Sequence, residues 1–130
     1  MNLEDIVPPL ELCKRIPAPR KNFRDSLFAW VPRFEGRGEW RRIFRYDLCS
    51  RPAVNDSQCI PAPTLAEIMA GIVKLKDLRG LNNHVHLKWD REAWRIDSYD
   101  DGYHVIETHD ITNPATAALK LWLELKGIEA

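Results

Sequence analysis

Three histidines carry the clearest hint of metal chemistry in this sequence. His84 and His86 lie two residues apart in a predicted strand, so both side chains point to one face of a sheet. His104, on a later predicted strand, could join them, and Asp90 or Glu107 could add a carboxylate oxygen. Two imidazoles and a carboxylate can hold a divalent transition metal. The three histidines are therefore weak candidates for a metal-dependent activity.

The same histidines also fit a simpler interpretation. An antiparallel sheet that is covered on one side has a polar outer face. His84, His86 and Lys88 would form that face, and the residues that alternate with them would face the core: Val85, Leu87 and Trp89. We therefore assign no metal site and expect no cofactor.

An arginine-rich segment offers binding rather than catalysis. Between Lys14 and Arg45 the chain has ten basic residues and three acidic ones, whereas residues 46–130 have nine basic and thirteen acidic ones. From Arg33 onward the arginines interleave with aromatic residues in and next to this segment: Trp30, Phe34, Trp40, Phe44 and Tyr46. The candidate partner-binding residues are Arg33, Arg37, Trp40, Arg41, Arg42 and Arg45.

Three interpretations of this segment stay open. Arginines can follow phosphates while aromatic rings stack on bases, which would bind nucleic acid. Arginine and tryptophan are also enriched at protein–protein hot spots, so the segment could dock on an acidic protein surface. Alternatively, the arginines are the solvated face over a core of Trp and Phe. The formal net charge of zero argues against nonspecific coating of DNA.

Catalytic motifs are not evident. No serine or cysteine stands in a motif that activates it, and Gly36 and Gly38 are too close together for a phosphate loop and precede a predicted strand. Cys13, Cys49 and Cys59 show no close pairing, so we expect free thiols that are buried or half-buried. The sequence therefore predicts a protein that is not an enzyme.

The arginine-rich segment needs a β-hairpin to position it. Alternation and the glycine-rich turn predict strands over 28–33 and 40–46. A short helix over 9–15 precedes them, and an irregular polar loop over 47–58 follows. The tetrapeptide Ile-Pro-Ala-Pro occurs at 16–19 and again at 60–63, and we expect both copies to be solvated connectors.

The second half of the chain predicts helix, three strands and helix. Thr64 and Glu67 form a capping box before a helix that we expect to fray over 71–75. Tight turns at 90–92 and 100–102 separate strands over 84–90, 94–99 and 103–108. Asn113 caps the last helix and Gly127 ends it. Its predicted buried stripe is Ala118, Leu121, Trp122 and Leu125.

These elements predict an α+β fold in a single domain, residues 1–130. We expect a mostly antiparallel sheet of five strands, made of the N-terminal hairpin and the C-terminal three-strand meander, with two helices packed on one face. No apolar run reaches the ~18 residues of a membrane-spanning helix. The N-terminus also lacks the basic and apolar regions of a secretory signal. The expected location is therefore the cytoplasm.

Three segments together resemble a family of small uncharacterised bacteriophage and prophage proteins. They are Val-Pro-Pro-Leu-Glu-Leu-Cys at 7–13, Ala-Pro-Thr-Leu-Ala-Glu-Ile at 62–68, and the helix that begins Asn-Pro-Ala-Thr-Ala-Ala-Leu at 113–119. These motifs are helix caps and core positions, so they bring no catalytic residues with them. The resemblance implies a phage or prophage origin and the cytoplasm of a bacterial host cell.

Taken together, the sequence favours a non-enzymatic accessory protein that binds and occludes a host macromolecule. The expected partner is a host protein or a protein–nucleic acid complex, for example in a nucleic-acid-targeting defence system, which would make the protein an anti-CRISPR-like inhibitor. The alternatives are a nucleic-acid-binding accessory factor and a metal-dependent activity at His84, His86 and His104. A homodimer, in which the basic hairpin docks on the acidic meander, also stays open.

Overall fold

The computed structural model describes residues 2–18, 21–50, 58–78, 85–99, 105–111 and 113–128. Within these ranges the chain forms three α-helices and six β-strands. The helices are α1 (Leu10–Cys13), α2 (Leu65–Leu78) and α3 (Pro114–Leu125). The strands are β1 (Phe28–Glu35), β2 (Arg42–Ser50), β3 (Ile60–Pro61), β4 (Val85–Trp89), β5 (Trp94–Tyr99) and β6 (Val105–Asp110). Short 3-10 turns occupy Leu3–Asp5 and Gly38–Trp40.

The predicted α+β class is confirmed, but the strands form two sheets instead of one. β2, β1 and β3 make one antiparallel sheet in that order, and β4, β5 and β6 make the other. The third strand of the first sheet comes from the segment that follows the loop: Ile60 pairs with Trp30, and Pro61 pairs with Ala29. With β2 on one edge and β3 on the other, β1 has no edge left there for a strand of the meander.

The second Ile-Pro-Ala-Pro copy is therefore not the solvated connector that we predicted. Pro61, Ala62 and Pro63 are all buried, and Ala62 donates its backbone N–H to Phe28 O. The loop prediction is also wrong at its start, because residues 47–50 continue β2. Residues 51–57 of that predicted loop lie outside the described residues.

Helix α3 lies at the centre of the core. Leu119, Leu121 and Leu123 are fully buried, and Trp122 is only 3% exposed. The four predicted stripe residues are buried, but so are most of the others, because α3 packs against α1, α2, β5 and β6. A helix that is apolar on nearly all sides is typical of such a central position.

Buried polar groups tie α3 to its neighbours. Asn113 Oδ1 caps the helix by accepting from Thr116 N at 2.7 Å, and Asn113 Nδ2 donates to Val7 O at 3.2 Å. Thr108 Oγ1 on β6 donates to Ala117 O at 2.7 Å. One capping residue thus starts the helix and also fixes the N-terminal segment of the chain.

Helix α2 begins as predicted and runs further than predicted. Thr64 N donates to Glu67 Oε1 at 2.8 Å, and Glu67 N donates to Thr64 Oγ1 at 3.4 Å, which completes the capping box. The helix does not fray over 71–75, because Ile72 and Leu75 are buried against the core. Lys76 is also buried, and its ammonium donates to Ser98 Oγ at 2.6 Å.

The meander follows the predicted alternation. Val85 and Leu87 on β4 and Ile96 on β5 face the core, and Ile96 is fully buried. Trp89 departs from the prediction, since it is 52% exposed and packs on Trp94 with ring centroids 5.3 Å apart. The predicted turn at 100–102 lies outside the described residues. In the described ranges, no helix is long and apolar enough to cross a membrane.

Candidate binding surface on the first hairpin

The outer half of the first hairpin is open to solvent on both faces. We call residues 33–45 the hairpin arm. All of these residues are exposed except Phe34, which is half-buried. A strand on a core normally buries every second side chain, but Arg42, Ile43, Phe44 and Arg45 are all exposed. The hairpin arm therefore lies outside the hydrophobic core, which the inner half of β1 reaches through Trp30.

Two local features shape the hairpin arm. The register between β1 and β2 shifts between Arg33 and Phe34, which is a bulge and adds local twist. At the tip, Gly36 has a φ of 86°, and a Cβ atom there would lie 2.3 Å from Trp40 O. Only glycine fits this close approach of the two backbone segments. The tip thereby places Trp40 in a 3-10 turn instead of in β2.

Three of the five arginines in the hairpin arm form ion pairs with nearby acids. Arg33 Nε donates to Asp47 Oδ2 at 2.7 Å, and Arg45 Nε lies 3.3 Å from Asp47 Oδ1. Arg42 Nε donates to Glu35 Oε1 at 2.7 Å. The hydrogen bond to Asp47 raises the pKa of Arg33 above its ordinary value. These contacts offset part of the positive charge of the three guanidinium groups.

The other two arginines flank the tip. Neither Arg37 nor Arg41 forms an ion pair with a residue that the structure describes. The Arg41 guanidinium lies over the Phe34 ring, 4.1 Å from its centroid, which is the geometry of a cation–π contact. Both arginine side chains are exposed.

Trp40 is the main apolar feature of the tip. It is 83% exposed, more than any other large apolar residue among those described, and Phe44 is 49% exposed. Trp40 also lines a shallow concave surface of about 440 Å³ together with Glu35, Gly36 and Arg42. A tryptophan held at a turn between two arginines is the kind of anchor that protein interfaces use.

All six sequence-predicted residues lie on the exposed surface of the hairpin arm: Arg33, Arg37, Trp40, Arg41, Arg42 and Arg45. The interpretation that arginines cover a core of Trp and Phe holds for Trp30, which is 8% exposed, and is wrong for Trp40 and Phe44. Sequence reasoning missed the role of Asp47, which was assigned to a loop. Its place opposite Val31 in β2 is what brings it to Arg33 and Arg45.

Of the three histidines of the candidate metal face, the structure describes one. His86 is exposed on β4, whereas His84 and His104 lie outside the described residues. The carboxylates expected to supply oxygen ligands are engaged instead by Arg95, which hydrogen-bonds Asp90 and lies 3.0 Å from Glu107. The hydrogen bond from Arg95 lowers the pKa of Asp90. In the part of the chain that the structure describes, no cluster of three or more His, Cys, Asp or Glu residues could hold a metal ion.

The cysteines are free thiols, with Cys13 and Cys59 buried and Cys49 half-buried. Burial raises the pKa of Cys13 to about 12. Its sulfur therefore stays protonated at neutral pH, and a protonated, buried thiol is a poor nucleophile.

No family model, curated protein or solved structure matches the chain, so these comparisons assign it no relative, activity or partner.

Proposed function

We propose that this protein is a non-enzymatic phage or prophage accessory protein that binds a host macromolecule through the hairpin arm and occludes it. The observation that carries the proposal is the tip, where Trp40 is 83% exposed between Arg37 and Arg41. An exposed tryptophan gains free energy when a partner covers it, and the two flanking charges give the contact its orientation.

The ion pairs of the hairpin arm favour a protein partner over free nucleic acid. Affinity for nucleic acid grows with the number of phosphates that basic side chains neutralise. Arg33, Arg42 and Arg45 already pair with acids of the same hairpin, which leaves few charges to follow a phosphate backbone. A protein interface instead gains most of its affinity from a small number of Trp and Arg anchors.

The nature of the partner follows from charge and from the phage resemblance. Two arginines beside a tryptophan complement an acidic surface with an apolar pocket, so the proposed partner is a host protein, alone or in complex with nucleic acid. The resemblance to phage proteins supports a target in the bacterial cytoplasm. A nucleic-acid-targeting defence system, as in an anti-CRISPR-like inhibitor, is the proposed class.

The test is capture of the partner from a bacterial host lysate, with and without nuclease, followed by affinity measurement with the purified partner. The decisive variant is R37E/R41E, because reversing Arg42 or Arg45 would also place like charges beside Glu35 or Asp47. The matched control is K74E/K126E, which makes the same change in net charge on α2 and after α3. Lys74 and Lys126 are both exposed.

We expect a specific protein that is retained after nuclease treatment. Its affinity should fall at least tenfold for R37E/R41E and stay within twofold for K74E/K126E. Capture that vanishes with nuclease would contradict a protein partner and favour the nucleic-acid-binding alternative. Equal binding by R37E/R41E and the natural sequence would show that the hairpin arm is not the binding surface.

A further inference from the structure

A second concave surface lies between α2 and α3 and shares no residue with the hairpin arm. It has a volume of about 280 Å³. Its apolar part is formed by Phe23, Trp122, Leu75 and Leu78. We call it the lysine cleft, because three lysines also line it.

The aromatic part of the lysine cleft is built by an unusual backbone conformation. Phe23 has a φ of 57°, in the left-handed region that a bulky residue rarely adopts. The Phe23 ring lies 4.9 Å from the Trp122 ring, centroid to centroid. Gly71 makes room for the pair, because a Cβ atom there would lie 3.1 Å from the Phe23 ring. Backbone strain of this kind is concentrated at binding and active sites.

The rim of the lysine cleft carries a local excess of positive charge. Lys21, Lys74 and Lys126 line it, and none of them forms an ion pair with a residue that the structure describes. The Lys126 ammonium lies 5.5 Å from the centroid of the Trp122 ring.

Among the described residues that line the lysine cleft, Glu67 is the one acid, so its carboxylate offsets one of the three lysine charges. Glu67 Oε1 accepts from Thr64 N at 2.8 Å, and Glu67 Oε2 accepts from Leu27 N at 3.1 Å. Both oxygens are therefore held by backbone N–H groups, one just before α2 and one just before β1, and the described lining keeps an excess of positive charge. The ligand that complements this surface has an anionic group for the lysines and an apolar group for the aromatic part.

We infer that the lysine cleft is a binding site for a small molecule that joins an apolar ring to a phosphate or carboxylate group. The volume suits a ligand with one ring, since pockets for larger, drug-sized ligands reach several hundred Å³ more. The lysines fix the anionic group at the rim, and the ring covers Phe23, Leu75 and Leu78. This inference does not depend on the proposed function of the hairpin arm.

Phenyl phosphate is the probe that tests this inference. Its binding to the full chain is monitored by amide chemical shifts in NMR spectra. We expect saturable shifts at Gly71 and Lys126, and at least tenfold weaker binding of inorganic phosphate and of phenol, which each supply half of the ligand. Benzoate, compared with phenyl phosphate, decides whether carboxylate or phosphate is the preferred anion.

Charge reversal locates the site. Binding of phenyl phosphate should weaken at least tenfold in K74E/K126E and stay unchanged in R37E/R41E. In K74R/K126R, which keeps both positive charges, the affinity should stay close to that of the natural sequence. The inference is overturned if phenyl phosphate gives no saturable shifts at these amides. It is also overturned if inorganic phosphate or phenol binds as tightly, or if both reversal variants weaken binding equally.

Discussion

The hairpin arm and helix α3 use the same kinds of bulky side chain in opposite environments. Trp40 in the hairpin arm is 83% exposed, whereas Trp122 on α3 is 3% exposed and packs on Phe23. The leucines of α3 are buried, whereas Ile43 and Phe44 in the hairpin arm face solvent. The stability of the fold and the candidate binding surface therefore depend on different residues. Variants in one region should leave the other region intact.

The largest contrast is expected between truncations in the two regions. Leu119→Ala should lower the free energy of unfolding by about 2–5 kcal/mol, because it removes a fully buried side chain and leaves a cavity. Phe44→Ala should lower it by less than about 1 kcal/mol, because that ring is half exposed already. Urea denaturation followed by circular dichroism measures both. Similar losses for the two variants would mean that the hairpin arm is part of the core.

The cap of α3 should be the next most sensitive point. Asn113→Ala removes the acceptor for Thr116 N and the donor to Val7 O, and should cost about 1–3 kcal/mol. Asn113→Ser keeps a cap acceptor but lacks the donor to Val7 O, so its loss of unfolding free energy should be smaller than that of Asn113→Ala. If the two variants are equally destabilised in urea, the capping bond is not what Asn113 contributes.

A pair of glycines tests the shape of the tip. Gly36→Ala should cost about 1–3 kcal/mol, because its φ of 86° is strained for alanine and the new Cβ would collide with Trp40 O. A Cβ atom at Gly38 would have no neighbour within 4 Å. Gly38→Ala should therefore cost only the strain of placing alanine in the left-handed region, about 1 kcal/mol. The chemical shift of the Trp40 indole N–H in NMR spectra should change in Gly36→Ala and stay the same in Gly38→Ala. The reverse order would contradict the described turn.

The smallest effect concerns the ion pair between Asp90 and Arg95. The hydrogen bond from Arg95 lowers the pKa of Asp90 from its ordinary 3.8. The stability that it contributes is therefore present above pH 3.8 and is lost as the pH falls through the lower pKa of the folded state. Asp90→Asn should flatten the acid limb of a plot of unfolding free energy against pH.

Arg95→Gln provides the matched test of this pair. It should remove most of the same pH dependence, because the hydrogen bond from Arg95 is the largest cause of the lowered Asp90 pKa. Arg95 also pairs with Glu107, so the double variant should lose less than the sum of the two single losses, but more than Asp90→Asn alone. An additive loss in the double variant would show that the two side chains act separately.

Local signals in the sequence predicted the ends of the helices well. Thr64 with Glu67, and Asn113 with Pro114, are confirmed as N-terminal caps, because a cap depends on residues only three or four positions apart. Gly127, with a φ of 79°, follows α3 as predicted. Regular alternation likewise predicted strands β4 and β5.

Nonlocal contacts could not be predicted in the same way. The pairing of Ile60 with Trp30 joins residues that are far apart in sequence, and it adds a third strand to the hairpin that no local signal predicted. The burial of α3 on nearly all sides depends on four neighbouring elements.

The environment of the candidate residues could not be predicted from the sequence. Alternation implies one buried face, so the exposure of both faces of the hairpin arm, and with it of Trp40, needed the structure. The pairing of Arg33 and Arg45 with Asp47 likewise depends on the strand register.

The measurement that tests the central claim most directly compares two exposed tryptophans for affinity to the captured partner. Trp40→Ala should weaken binding about thirtyfold or more, since a central tryptophan anchor contributes about 2 kcal/mol or more. Trp89→Ala, on β4 and 52% exposed, should change the affinity less than twofold. Equal affinities for Trp40→Ala and the natural sequence would contradict the claim that the hairpin arm is the binding surface.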